Sequence, residues 1–266
     1  MKQRIITGVA AAALFIPFVV YGKAPFAVFV LLLAMIGYYE LLRMKNLSVF
    51  SVPGVIGLLA LLMVTIPQAW ANEVLNFIGY DSPLTVIYGL AILLLIYIVL
   101  VKNKLTFDDM SFIVLTVLYV GLGFHYLIET RNAGLEFIVY CLLVVWTTDS
   151  GAYFVGRKLG KNKLWPEISP KKTVEGFVGG IVIAVIFAVA MQLIYPFMDS
   201  FLQLIIVTII ASIIGQMGDL VESAIKRHYG VKDSGTILPG HGGILDRFDS
   251  ILFVLPLLHF LHVFSG

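Results

Sequence analysis

Charged side chains are scarce in this chain: they make up 13% of 266 residues, where soluble domains carry roughly a quarter. That scarcity excludes an ordinary soluble fold. Apolar residues reach 60%, so transfer into hydrocarbon is the driving force, and spans of about 20 residues are the unit to look for. Cysteine is nearly absent. The single Cys141 excludes a disulfide within the chain, and its place inside an apolar run makes it a packing residue. The opening Met1-Lys2-Gln3-Arg4 precedes a long apolar stretch without a small-residue cleavage site, so a retained first span is expected and not a signal peptide. No internal repeat of the kind that builds transporters is visible.

Nine apolar runs are present, near residues 5–22, 25–42, 52–70, 84–101, 112–128, 135–155, 174–196, 201–218 and 251–263. The last is short for a span. An all-α polytopic membrane protein of about nine helices is expected, with residues 1–134 forming five N-terminal spans and residues 135–266 a C-terminal catalytic region. Nine crossings put the termini on opposite sides. With a cytoplasmic N-terminus, 16 of the 18 Lys and Arg residues fall inside and only Lys23 and Arg131 outside. The polar connections 156–173 and 219–250 are therefore expected to face the cytoplasm. Trp70 and Tyr80, near span ends, suit an interfacial belt.

Ionisable residues are nearly missing from the first five runs but end the sixth at Thr147-Thr148-Asp149-Ser150 and the eighth at Gln216-Met217-Gly218-Asp219. Carboxylates at such depths are functional candidates, and apolar Ala152 to Val155 after Asp149 place it below the surface. Gly176 and Gly180 have the small-xxx-small spacing of close helix packing.

Beyond Gly218, good helix formers continue, so Asp219, Glu222, Ser223 and Lys226 recur on one helical face. A solvated amphipathic face is the plain alternative. The segment then turns glycine-rich: Lys232-Asp233-Ser234-Gly235, followed by Leu238-Pro239-Gly240-His241-Gly242-Gly243. Such turns let backbone N–H groups approach a phosphate, with flanking Lys and Arg supplying charge. Asp246 and Asp249, at i and i+3, can meet one hard cation on a shared helical face, and magnesium suits their oxygen ligands.

These residues carry a resemblance. Ser223-Ala224-Ile225-Lys226-Arg227, four residues, Lys232-Asp233-Ser234-Gly235, two residues, and Leu238 through Asp249 resemble the signature of the phosphatidate cytidylyltransferases, or CDP-diacylglycerol synthases. Asp149 to Phe154 and Ser169 to Gly176 resemble the family's other polar motifs. The resemblance implies that CTP and phosphatidate give CDP-diacylglycerol and pyrophosphate, with magnesium and a second cation left open. It also implies an all-helical homodimeric enzyme of the cell membrane with its site on the cytoplasmic side. No nucleic-acid partner is implied.

Under that reading Asp219 and Asp246 lead as metal ligands, followed by Asp249 and Asp149. Lys226 and Arg247 join Asp219, Asp246 and Asp249 as catalytic candidates, and Arg227 and Lys232 would contact phosphates. Lys171 and Lys172 would hold CTP or the lipid headgroup, and Ser223, Asp233, Ser234, Gly240, Gly242 and Gly243 complete the substrate-binding set. His241 is assigned a hydrogen bond to substrate phosphate or a structural role, in preference to proton transfer. His259 and His262, although i and i+3, are assigned to packing or the interface. A transporter would carry ionisable residues near mid-span in several helices, which this chain does not. A CTP-dependent polyprenol kinase is the near alternative; it would release CDP without pyrophosphate.

Overall fold

The computed structural model describes residues 2–264, without the side chains of Lys2, Arg4 and Ile5; the positive-inside assignments of Lys2 and Arg4 lie outside that description. Every apolar run becomes helical. The helices are α1 (Lys2–Tyr21), α2 (Lys23–Met44), α3 (Val52–Thr65), α4 (Gln68–Ile78), α5 (Pro83–Leu100), α6 (Phe107–Ala133), α7 (Leu135–Leu159), α8 (Val174–Ile194), α9 (Phe201–His228), α10 (Leu245–Phe248) and α11 (Ile251–Phe260). Among the described residues six helices, α2 and α5 to α9, are long and apolar enough to cross a bilayer; the Ile6–Tyr21 part of α1, with α3 and α11, adds further apolar helix. The chain is a multi-pass, all-α membrane protein, with one small hairpin between α7 and α8.

The chain divides into two compact units. The first comprises Met1–Glu129 and Ser234–Leu245. Within it the third apolar run stops as a helix at Thr65, short of the expected residue 70. Pro67 lacks an N–H and holds Ile66 extended, and the chain restarts as α4, which buries Ala71 and Leu75. Ser51 caps α3 by accepting from the Gly54 amide at 3.2 Å. The segment Ser234–Leu245 forms a tight loop, with Leu238 N–H donating to Gly242 O at 3.0 Å and His241 N–H to Leu238 O at 2.8 Å. Its ends meet Glu40 of α2, whose carboxylate accepts from Ser234 Oγ and from the amides of Ile244 and Leu245.

The second unit comprises Thr130–Asp233 and Asp246–Gly266. Its helices α7 and α8 pack along a seam of small residues. A Cβ on Gly180 would lie 2.7 Å from Thr148 O, and one on Gly176 2.7 Å from Ala152 O, so both positions admit only a hydrogen. Buried hydroxyl pairs tie α7 to α9: Tyr140 to Thr208 at 2.8 Å and Thr148 to Ser212 at 2.7 Å. Each such bond inside a bilayer contributes about 0.6–2 kcal/mol. Cys141 is fully buried and free, and His259 packs with its Nε2 2.9 Å from Thr130 Oγ1.

Between α7 and α8 the polar connection forms β1 (Lys163–Trp165) and β2 (Ser169–Thr173), antiparallel, with Lys163 opposite Thr173 and Trp165 opposite Ser169. Glu175 closes its base by accepting from Lys161 N at 3.0 Å and Asn162 Nδ2 at 2.8 Å. Thr173 caps α8 through the Gly176 amide at 3.1 Å.

Candidate active site

The second unit encloses a cavity of about 640 Å³. It is built from the end of α7, the hairpin, the start of α8, the last turns of α9 and the α10–α11 corner. α9 runs without a break through Gly218 to His228, so its last turns align Asp219, Glu222, Ser223 and Lys226, as their spacing predicts. Ser223 Oγ donates to Asp219 Oδ1 at 3.3 Å, and Lys226 Nζ donates to Glu222 Oε2 at 2.6 Å.

Two cations tie the elements together. Lys226 also donates to Asp246 Oδ1 at 2.6 Å, joining α9 to α10, and Lys172 from β2 pairs with Asp219 Oδ2 at 2.7 Å. The environments differ: Glu222 is fully buried and Lys226 nearly so, while the Lys172 and Asp219 side chains keep 25% and 30% of their exposure. Glu222 Oε1 is buried with no hydrogen-bond partner. A second carboxylate oxygen in that position is costly unless a cation or donor meets it.

Asp149, Lys171, Lys172, Asp219, Lys226, Asp233, Asp246, Arg247 and Asp249 all line the cavity, together with Arg157, Tyr153 and Gln216. Asp149, on α7, is exposed to the cavity. Five Asp and five Lys or Arg side chains make the lining formally neutral, five minus five. Asp246 and Asp249 do not share a helical face, because α10 ends at Phe248 and Asp249 sits in the turn before α11. There its Oδ1 accepts from the Ser250 amide at 2.6 Å. Loss of water around Asp249 raises its carboxyl well above the usual range. Neighbouring Asp219 and Glu222 push it further, against the pull of the Ser250 amide.

Among the described residues no three His, Cys, Asp or Glu side chains stand close enough together to hold a metal ion as placed. The acidic groups lining the cavity nevertheless fit a hard divalent cation, because they are all carboxylates and offer the oxygen ligands such an ion takes.

Other sequence candidates fall elsewhere. Arg227 turns to Val231 O at 3.2 Å and Lys232 is exposed; neither lines the cavity. Ser234, Gly240, His241, Gly242 and Gly243 belong to the first unit, where Ser234 and Gly243 lie against Glu40. Sequence reasoning gave no site role to Glu222, Gln216 or Glu40, and it took Arg157, which lines the cavity, for a positive-inside anchor. For Glu40 the available signal was a lone acid in a run of apolar residues.

A profile of the cytidylyltransferase family matches residues 2–265. The chain is 54% identical over 266 residues to a phosphatidate cytidylyltransferase of Bacillus subtilis (strain 168), covering 98% of this chain and 97% of the relative. It is 49% identical over 261 residues to one of Staphylococcus haemolyticus, covering 98% of each. A third, of Staphylococcus aureus, is 45% identical over 265 residues and covers all of both chains.

Proposed function

This chain belongs to the cytidylyltransferase family, and on that premise we propose that it transfers the cytidylyl group of CTP to phosphatidate, giving CDP-diacylglycerol and pyrophosphate. The observation that carries the reading is the cavity of the second unit, where lysines and carboxylates meet at the ends of bilayer-length helices. A water-soluble nucleotide and a membrane lipid can be joined only at such a boundary.

In the reaction a phosphate oxygen of phosphatidate attacks the α-phosphorus of CTP. The bond to the bridging oxygen breaks, and pyrophosphate leaves with that electron pair. The attacking oxygen is already anionic at neutral pH, so no strong general base is required. The barrier is repulsion between polyanions, lowered by fixed positive charge. Lys171, Lys172, Lys226 and Arg247 supply it from the cavity wall. Lys172 sits in the more open pair and can exchange Asp219 for an incoming phosphate, whereas Lys226 is locked between two carboxylates and holds the site's shape.

The formally neutral lining favours a divalent cation accompanying the substrates. Asp219 and Asp246, with Asp249 and Asp149, all on the cavity wall, would hold magnesium. When bound, magnesium supplies charge neutralisation on the phosphates. Substitution Asp246→Asn is expected to lower kcat about 100-fold or more; full activity would sink its assignment.

The positive-inside pattern supports a cell-membrane protein with this cavity on the cytoplasmic side. Arg157 and Lys158 at the end of α7, Lys171 and Lys172 before α8, and Lys226 and Arg227 at the end of α9 all belong to that face. A homodimer is part of the same reading. The test is purified protein in mixed micelles with CTP, phosphatidate and magnesium. Pyrophosphate formed mole for mole with a CDP-lipid supports the reading; release of CDP, or turnover independent of phosphatidate, refutes it.

A further inference from the structure

A carboxylate within an apolar helix is costly unless matched, and Glu40 on α2, 2% exposed, is matched three times. Its Oε2 accepts from Ser234 Oγ at 2.8 Å and from the Leu245 amide at 3.0 Å; its Oε1 accepts from the Ile244 amide at 2.8 Å. The donors come from both ends of Ser234–Leu245, so one side chain clasps the whole loop.

The neighbouring glycines follow from this clasp. A Cβ on Gly243 would collide with both Glu40 carboxylate oxygens and with Ser234 Oγ, and one on Gly235 would lie 2.5 Å from Glu40 Oε1. Two glycines that read in the sequence as a phosphate cradle are thus accounted for by a carboxylate of the chain itself.

The residues immediately outside the clasped loop are Asp233 and Asp246, and both line the cavity of the second unit. We propose that Glu40 is a positioning residue for cytidylyl transfer. By fixing both ends of Ser234–Leu245, it sets where the chain delivers Asp233 and Asp246, acting through the backbone and not on substrate. The inference rests on the cavity being the active site.

Gln at position 40 keeps the volume but offers one acceptor oxygen, so at least one of the three donors meets an NH2 group. In full-length Glu40→Gln protein in lipid–detergent micelles, hydrogen exchange at the Ile244 and Leu245 amides is expected to accelerate about tenfold or more. Displacement of Asp246 by a fraction of an ångström lowers kcat about 10- to 100-fold, and KM for CTP and phosphatidate stays near wild type. Unchanged exchange, unchanged kcat, or a loss carried wholly in KM overturns the proposal.

Should Glu40→Gln fail to fold, Ser234→Ala removes one donor and leaves the two amide bonds. A kcat lowered several-fold at constant KM supports the clasp, and wild-type kcat overturns it. Full kcat in Asp246→Asn would refute the cavity assignment itself, the premise, whichever way the Glu40 experiment falls.

Discussion

Lys226→Met tests the electrostatic arrangement of the site most severely. The ammonium stands 2.6 Å from Glu222 Oε2 and 2.6 Å from Asp246 Oδ1, and the two acid side chains are 0% and 5% exposed. Methionine fills a similar volume but leaves two facing carboxylates with no cation between them. Removing one partner from a buried ion pair costs about 3–5 kcal/mol, because the remaining charge has lost both water and partner. At about 2–4 °C per kcal/mol for a chain of this size, the Tm falls by about 6–20 °C. Activity falls further than stability alone requires, by about 100- to 1,000-fold in kcat at a temperature where the variant is folded, because Asp246 is no longer held. Thermal melting monitored by intrinsic fluorescence in micelles, with kinetics on the same sample, reads both. A variant that melts within about 2 °C of wild type and keeps its kcat would refute the claim that Lys226 organises the site.

Lys172→Met is expected to do the reverse: its pair with Asp219 is a quarter exposed, so Tm moves by less than about 1 kcal/mol equivalent, while kcat/KM falls about tenfold or more. A large fall in Tm with normal kinetics would contradict this division. Asp249 sets a pH dependence. Its carboxyl is raised in the folded protein, so its contribution to stability is full below the ordinary carboxylate range and is lost as pH rises through the folded value. Without metal, Asp249→Asn therefore melts close to wild type in acid and above it at higher pH; the opposite sign would remove Asp249 from the crowded cluster. Magnesium requires the ionised form, so its binding should release a proton that Asp249→Asn does not, measurable by titration in two buffers of different ionisation enthalpy.

Most of the helical plan was legible because hydropathy reports transfer into hydrocarbon directly, and each of the nine apolar runs became a helix. The third run was overextended because Pro67 lies inside an apolar stretch, where hydropathy averages across it but the backbone cannot. The hairpin around Lys163 and Lys171 left no periodic signal: its strands are short, polar and interrupted by Pro170, and its pairing is fixed by the Glu175 and Thr173 contacts at its base. Within α9 the i, i+4 bonds of Ser223 to Asp219 and Lys226 to Glu222 follow from spacing alone. The links from Lys226 to Asp246 and from Lys172 to Asp219 join separate elements, and no spacing rule encodes them. Gly235 and Gly243 show the limit most clearly. Glycine announces a close approach, but what approaches, here Glu40 from α2, is set by tertiary structure.

The most direct measurement follows the phosphorus of the nucleotide. CTP labelled separately at the α- and γ-phosphates is incubated with the protein, phosphatidate and magnesium, and the lipid and aqueous phases are counted. Cytidylyl transfer puts the α label in the lipid and the γ label in pyrophosphate, in equal amounts, and both signals collapse in Asp246→Asn. A γ label in the lipid, or an α label that stays in water as CDP, would contradict the account.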